Sequence, residues 1–142
     1  MRVTDRPIDV CVVGLGYIGL PTASLLATKG LRVLGVDVSE SVVRTISRGD
    51  IHIVEPELDV LVRSAVQSGN LTAALVPAAA AVSIIAVPTP FRGDHEPDLS
   101  YVEAATRALA PHVPQGGLVI LESTSPVGTT ERVAAWLVEE NA

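Results

Sequence analysis

The sequence contains few aromatic residues and almost no cysteine. Its 142 residues include one Trp, two Tyr and one Phe, so aromatic side chains make up only 3% of the chain, although 48% of it is apolar. A core built under these limits must come from Val, Leu, Ile and Ala, as in buried parallel sheets. The single cysteine, Cys11, excludes an internal disulfide and favours a reducing compartment. We therefore expect a cytoplasmic protein, long enough for one domain with its own core.

Positive charge and long hydrophobic runs are also scarce. Ten Lys and Arg residues stand against sixteen Asp and Glu, a net charge of −6 that argues against a nucleic-acid partner. The uncharged segments 10–28 and 64–91 are interrupted by glycine and proline, so neither is predicted to be a signal peptide or a membrane span. His52 and His95 have no other His or Cys at ligand spacing, so no metal site is expected.

Apolar segments alternate with amphipathic ones along the chain. The predicted strands are Val10–Val13, Leu31–Val36, Leu71–Leu75, Val82–Val87 and Leu118–Glu122. Helices are predicted between and after them, ending near residues 28, 48, 68, 110 and 140. Ser39 and Ser100 are the predicted N-caps of two of these helices, Ser100 in a capping box with Glu103. This alternation predicts a Rossmann-type α/β fold over 1–142, a doubly wound parallel sheet with helices on both faces.

Three glycines follow the first strand at the spacing G-x-G-x-x-G. Gly14 permits the tight turn out of the strand, Gly16 lets the backbone approach a phosphate, and Gly19 lets the next helix pack closely on the strand. The N-terminus of that helix offers unpaired N–H groups and a positive dipole end to an anion. The stretch therefore predicts a site for the pyrophosphate of a dinucleotide.

Asp37 ends the second predicted strand at the distance from Gly19 where dinucleotide-binding domains place a ribose-binding acid. Its carboxylate can accept both adenosine ribose hydroxyls. A 2′-phosphate would be repelled there, and no arginine stands beside Asp37 to accept one. The sequence therefore favours NAD over NADP. The ends of the fourth and fifth strands, at Thr89 and 123–130, fall at the same predicted edge of the sheet.

Several further stretches occur in the order typical of one family. They are Gly14–Pro21, Gly35–Asp37, Glu55-Pro56, Val87–Pro90 and Glu122–Thr130. Together they resemble the N-terminal NAD-binding domain of the UDP-glucose/GDP-mannose dehydrogenase family over essentially the whole chain. Two more stretches, Gly49–Pro56 and Pro90–Asp98, resemble its UDP-N-acetyl-D-mannosamine dehydrogenase branch.

The resemblance implies a two-step oxidation of a nucleotide-sugar primary alcohol to a carboxylate by two NAD, in surface polysaccharide synthesis. The product would be UDP-N-acetyl-D-mannosaminuronate, and the complete enzyme would be a homo-oligomer. Such enzymes use a cysteine nucleophile in a later part of the chain. Cys11 lies in the first strand and cannot take that role. We therefore expect the central and C-terminal sugar-binding domains to be absent and these 142 residues alone to be inactive.

The resemblance also assigns individual residues. Thr124 would lie by the nicotinamide, where its hydroxyl can help to position a water or the oxidised carbon. The residues expected to bind the cofactor are Gly14, Gly16, Tyr17, Ile18, Gly19, Asp37, Pro88, Thr89, Ser123, Thr124 and Thr130.

Other functional classes share the glycine turn. A nucleotide-sensing regulatory domain of an ion channel has a similar length, but it does not require the 122–130 turn or the Pro88-Thr89-Pro90 stop. A methyltransferase would need a later substrate motif that this sequence lacks. A UDP-glucose or GDP-mannose dehydrogenase fragment remains a further alternative within the family.

Overall fold

A computed structural model describes residues 5–141, so the predicted domain bounds of 1–142 extend slightly beyond it at both ends. The strands are β1 (Val10–Val13), β2 (Val33–Val36), β3 (Leu71–Ala74), β4 (Val82–Ile85), β5 (Phe91–Arg92), β6 (Glu96–Pro97) and β7 (Leu118–Leu121). The α-helices are α1 (Gly19–Thr28), α2 (Glu40–Ser47), α3 (Leu58–Gln67), α4 (Ser100–Leu109) and α5 (Thr129–Asn141). A short 3₁₀ helix, Ala110–His112, follows α4.

Five strands form a parallel sheet in the order β3-β2-β1-β4-β7. The chain order reverses direction at β1, whose Val10 pairs with Val33 on one side and Val82 on the other. This is the doubly wound arrangement, and it confirms the predicted fold class. In such sheets ligands bind outside the carboxyl ends of the strands, at the point where the order reverses.

The two faces of the sheet pack into two separate apolar cores. Val10 and Val12 of β1 point to one face, where they pack with residues of α1 and α3 such as Leu20 and Val62. Cys11 and Val13 point to the other face, in the core that contains residues of α4 and α5. The side-chain alternation of a strand thus puts apolar residues on both faces of β1, which is why its sequence is a continuous hydrophobic run.

Several strands and helices begin or end at residues other than those predicted. β4 ends at Ile85 rather than Val87, and the polar loop after it contains the short antiparallel hairpin of β5 and β6. Helix α3 begins at Leu58 rather than Glu57, because Glu57 adopts a left-handed conformation with φ 66°. The predicted strand starting at Leu31 begins at Val33.

One of the two predicted N-caps is confirmed and the other is wrong. The Ser39 hydroxyl accepts a hydrogen bond from the Val42 N–H at 3.3 Å. Ser100 instead lies inside α4, and its N–H donates to Asp98 Oδ1 at 2.9 Å. Hydrogen bonds from the Ser100 hydroxyl and N–H lower the pKa of Asp98. The capping box with Glu103 is therefore absent, because α4 begins at Ser100 and Leu99 takes the N-cap position.

Arg107 of α4 contacts three carboxylates, one on its own helix and two on α5. Its guanidinium lies 2.9 Å from Glu103, 2.9 Å from Glu139 and 2.8 Å from Glu140. Hydrogen bonds to Glu139, Glu103 and Glu140 raise the pKa of Arg107, so it stays cationic throughout the working pH range. Glu103, predicted as part of the capping box, serves here as a partner of Arg107.

We expect Arg107→Met to lower the thermal unfolding midpoint by a few degrees, because three carboxylates then lose a shared cation. The matched control is Arg44→Met, which breaks one exposed pair with Glu40 at 3.6 Å and should have almost no effect. Thermal melting followed by circular dichroism measures both variants. High salt should narrow the difference between them, since it screens partly exposed charges. Equal midpoints for the two variants in low salt would contradict this role for Arg107.

Candidate cofactor-binding site

The glycine turn sits between β1 and α1 under tight steric limits. A Cβ on Gly19 would lie 1.7 Å from the carbonyl oxygen of Gly14, so α1 can approach the turn this closely only without a side chain there. Gly14 has φ 101°, and its Cβ would lie 2.5 Å from the Ala86 carbonyl oxygen. A Cβ on Gly16 would meet no atom within 4 Å. Space is therefore open at Gly16, on the side where a ligand would approach.

The backbone of this turn presents free hydrogen-bond donors. The first bonds of the helix run from the Leu20 N–H to the Gly16 carbonyl at 3.1 Å and from the Thr22 N–H to the Ile18 carbonyl at 3.3 Å. Within residues 5–141, the N–H groups at positions 16–19 have no acceptor. Helix α1 also has no N-cap side chain and no acidic residue in its first turn. Unpaired donors at the positive end of a helix can bind an anion such as a phosphate group.

Asp37 lies directly beside the glycine turn and is held in place by backbone donors. Its Oδ2 accepts from the Leu15 N–H at 3.1 Å, and its Oδ1 accepts from the Ser39 N–H at 2.9 Å. Each carboxylate oxygen keeps a second lone-pair site. Asp37 therefore ties the turn to the end of β2 and can still accept two hydroxyl groups, such as those of a ribose.

A cleft of about 230 Å³ opens next to Asp37 at the carboxyl ends of β1, β2 and β4. Gly14, Asp37 and Pro88 lie on its wall, together with residues that sequence reasoning did not select. Those additional residues include Val38, Leu75, Pro77, Val87, Tyr101 and Ala104. They are largely apolar, and a flat heteroaromatic ring suits such a lining. The closest sequence signal was the run of small residues on α4, which leaves room beside Tyr101.

The turns after β4 and β7 are linked on the other side of β1. The Thr89 hydroxyl donates to the Thr124 carbonyl at 2.5 Å, and the Ser123 hydroxyl donates to the Val87 carbonyl at 2.8 Å. Ser123 is buried, so its hydroxyl fixes the turn rather than facing a ligand. The Thr124 side chain is exposed at the edge of the sheet.

Two threonines begin α5, and they differ in their surroundings. Thr129 is 2% exposed, and its hydroxyl donates to the Pro126 carbonyl at 2.7 Å. Thr130, the residue that the resemblance selects, is exposed at the same end of the helix. Tyr17 and Ile18 are also exposed, on the glycine turn itself. The predicted site residues thus come together along one edge of the sheet, with Asp37 at β2 and Thr124 beyond β7.

A larger groove of about 600 Å³ lies between α1 and α3, away from this edge. Its walls include Pro21, Pro56, Val60 and Leu61. The free N–H groups of the glycine turn and the Asp37 carboxylate do not line it. The smaller cleft is therefore the better candidate for a dinucleotide, in spite of its volume.

No three His, Cys, Asp or Glu side chains in the described part of the chain are grouped as metal ligands. His95, in the β5–β6 hairpin, instead packs edge-on against Phe91 with ring centroids 6.0 Å apart. Across residues 5–141, no helix has the length and apolar character needed to cross a membrane.

Cys11 is fully buried in β1, and burial raises the pKa of its thiol. The raised pKa keeps the thiol protonated at neutral pH, so the reactive thiolate is suppressed. The pKa of the Cys11 thiol is higher in the folded chain than in the unfolded chain. The stability that this difference contributes is therefore present at neutral pH and is lost as pH rises through the folded pKa. Cys11 therefore has the properties of a packing residue.

We expect the native Cys11 thiol to resist a disulfide exchange reagent such as 5,5′-dithiobis(2-nitrobenzoate) at neutral pH. The same thiol should react promptly once the chain is unfolded in guanidinium. Absorbance of the released thiolate measures both rates. Prompt reaction of the native chain would contradict the burial and the raised pKa.

Comparison with known proteins identifies the family of this chain. Residues 8–142 match the NAD-binding domain model of the UDP-glucose/GDP-mannose dehydrogenase family. The UDP-N-acetyl-D-mannosamine dehydrogenase of Campylobacter jejuni is 57% identical over 134 residues, which are 94% of this chain and 33% of the relative. The Escherichia coli K12 enzyme of the same name is 57% identical over 130 residues, which cover 92% of this chain and 31% of the relative.

Solved structures agree with the sequence comparison. The UDP-D-ManNAc dehydrogenase of Pyrococcus horikoshii superposes with a TM-score of 0.89 at 42% identity, over 94% of this chain and 33% of that one. The chain spans about a third of the length of these relatives. The predicted resemblance and the predicted cofactor are both confirmed. This chain belongs to the UDP-glucose/GDP-mannose dehydrogenase family, of which it forms the NAD-binding domain.

Proposed function

We propose that this chain is the cofactor-binding portion of an NAD-dependent UDP-N-acetyl-D-mannosamine dehydrogenase. The observation that carries the proposal is the Asp37 carboxylate, fixed by the Leu15 and Ser39 N–H groups beside the open glycine turn. The sugar is inferred from the relatives that carry that name at 57% identity. The complete enzyme would oxidise UDP-N-acetyl-D-mannosamine to UDP-N-acetyl-D-mannosaminuronate with two NAD.

The residues of this chain would bind and orient the cofactor. Asp37 would accept the adenosine ribose hydroxyls, and the apolar cleft beside Tyr101 would hold the adenine. The N–H groups of Tyr17 and Ile18 would contact the pyrophosphate, with Gly16 leaving room for it. Because β4 and β7 lie on the opposite side of β1 from β2, the nicotinamide half would extend toward Thr89 and the turn after β7.

Bound NAD supplies the hydride acceptor for both oxidations. The Thr89 hydroxyl, by donating to the Thr124 carbonyl, would hold the two turns at the nicotinamide end together. The Thr124 hydroxyl would then help to position a water or the oxidised carbon, and Thr130 would face the cofactor from α5. In this arrangement Pro88 and Ser123 shape the site, Pro88 as part of the cleft wall and Ser123 through the Val87 carbonyl.

The remaining machinery would come from the rest of the enzyme. Cys11 is buried and protonated, so the cysteine that holds the aldehyde and acyl intermediates must belong to the sugar-binding part. We accordingly propose that the isolated chain binds NAD without oxidising the sugar. We place the complete enzyme in the cytoplasm as a homo-oligomer, with UDP-sugar as substrate for surface polysaccharide synthesis.

A chimera tests this function. The chain would replace the matching 130 residues of the Escherichia coli relative, whose remaining two thirds supply the sugar-binding part. We expect this chimera to form two NADH per UDP-N-acetyl-D-mannosamine, measured at 340 nm, and the isolated chain to form none. The same chimera carrying Asp37→Ala should lose most of this activity.

Other results of these assays would contradict the proposed function. A folded chimera that forms no NADH, or an isolated chain that oxidises the sugar, would contradict the proposal. A similar relative at 56% identity is named NDP-N-acetyl-D-galactosaminuronic acid dehydrogenase, from Ralstonia nicotianae. Assays with UDP-glucose, GDP-mannose and UDP-N-acetylgalactosamine therefore belong beside the main one. Preferential turnover of one of these by the chimera, whose sugar-binding part comes from the Escherichia coli relative, would show that this domain itself contributes to the choice of sugar.

A further inference from the structure

Glu122 makes a contact that the roles assigned so far do not explain. It follows β7 directly, and its Oε1 lies 2.6 Å from the hydroxyl of Thr22 on α1. The same hydroxyl lies 3.0 Å from the Ile18 carbonyl. A hydroxyl has one proton, and the shorter distance together with the stronger acceptor places that proton toward the carboxylate. Glu122 is thus held in one orientation against the dinucleotide-binding helix.

The strand sets the face of the sheet on which this carboxylate lies. Val119 and Leu121 of β7 pack into the core beneath α4 and α5. The alternate residues Leu118 and Ile120 point to the other face and remain 55% and 39% exposed. Glu122 continues their alternation and meets Thr22 on the α1 side. The side chain is half-buried there.

The sheet order places this charge at the nicotinamide end. Asp37 at β2 marks the adenosine end, and β7 lies three strands away in the order β2-β1-β4-β7. Neighbouring strands are about 4.8 Å apart, so the two carboxylates lie at positions separated by roughly 14 Å across the sheet. That separation exceeds the screening length of about 10 Å at 0.1 M salt. Asp37 and Glu122 therefore act on different halves of the dinucleotide.

We propose that Glu122 is a specificity-determining residue that makes this site bind oxidised NAD more tightly than NADH. The inference rests on the proposed placement of the cofactor. The nicotinamide ring is cationic in NAD⁺ and neutral in NADH, so a fixed carboxylate near it attracts only the oxidised form. The pyrophosphate and the adenosine are common to both forms, and any effect of Glu122 on them cancels in the ratio of the two dissociation constants.

Titration of NAD⁺ and of NADH into this chain, each by calorimetry, tests the proposal. We expect Glu122→Gln to weaken NAD⁺ relative to NADH by about threefold to tenfold, the size of one partly screened charge interaction. Glu122→Asp keeps the charge and should preserve most of the preference. The matched control is Asp50→Asn, which removes an equal charge beyond the far end of α2, where Asp50 pairs with Arg48 at 3.4 Å; it should leave the ratio unchanged.

The titrations distinguish failure of this proposal from failure of the proposed function. Binding of both forms with the same ratio in the native chain and in Glu122→Gln would overturn this proposal and leave the cofactor site intact. Failure of the native chain to bind either form would instead contradict the proposed function. Melting curves report whether each variant is folded. If Glu122→Gln does not fold, Thr22→Val, which frees the carboxylate from α1, should reduce the preference, and an unchanged ratio there would overturn the proposal.

Discussion

Gly19→Ala is expected to destabilise this domain by about 3 kcal/mol or more. The added Cβ would lie 1.7 Å from the Gly14 carbonyl oxygen and 3.2 Å from the Ala86 Cβ. The clashing atom of Gly14 is a backbone oxygen, which cannot rotate away as the end of a flexible side chain can. Helix α1 must therefore shift away from β1. For a domain of this size the unfolding midpoint should fall by about 10 °C. Thermal and denaturant unfolding followed by circular dichroism measure the loss.

The matched control for Gly19→Ala lies in the same chain. Gly30 follows α1 with φ 96°, and its Cβ would meet no atom within 4 Å. Alanine there meets only the backbone strain of a positive φ, about 1 kcal/mol. A Gly19→Ala variant no less stable than Gly30→Ala would contradict the close approach of α1 to the glycine turn.

Asp37→Asn is expected to weaken NAD binding by about tenfold to a hundredfold. The two carboxylate oxygens already accept from the Leu15 and Ser39 N–H groups, and an amide offers only one acceptor oxygen in place of two. Hydrogen bonds to a charged group contribute about 1.5–3 kcal/mol each, which sets this range. Calorimetric titration of NAD measures the change.

The same substitution should also alter the choice of cofactor. Loss of the negative charge removes the repulsion of a 2′-phosphate, so the affinity for NADP should rise relative to that for NAD. Asp50→Asn, with an equal change of charge outside the site, should change neither affinity. An Asp37→Asn variant with unaltered NAD affinity would show that the ribose lies elsewhere.

Local rules predicted the framework of the site well. β1 and the glycine turn could be predicted because a short β-branched run and G-x-G-x-x-G spacing each restrict the backbone directly. The position of Asp37 beside the turn could be predicted because it ends the second strand at a fixed distance along the chain from the turn. These features need no knowledge of distant contacts.

Features made by distant segments could not be predicted in this way. The cleft beside Asp37 combines Val38, Leu75 and Tyr101 from three separate segments, and their proximity follows only from the strand order. The Thr22–Glu122 contact joins residues 100 positions apart. No periodicity in either segment indicates such a pairing.

Competition between similar residues explains the wrong N-cap. Asp98 and Ser100 are both good capping residues and stand two positions apart, so the sequence does not rank them. Because α4 begins at Ser100, Leu99 takes the N-cap position, and the Asp98 carboxylate accepts from the Ser100 N–H. Glu57 shows a related difficulty, since it adopts a left-handed conformation with φ 66° that glutamate rarely takes, so its sequence does not predict it.

The proposed function requires the glycine turn to bind the pyrophosphate of NAD, and the Gly16→Ala substitution tests this binding. Its Cβ meets no protein atom within 4 Å, so the fold should be unaffected, but the methyl group would occupy the space left for the phosphates. Titration of NAD into the native chain and into Gly16→Ala, with melting curves for both, is the measurement. We predict one NAD per native chain, binding at least tenfold weaker in the variant, and equal melting temperatures. Equal NAD affinity of the native chain and an equally stable Gly16→Ala variant would contradict binding of the pyrophosphate at the glycine turn.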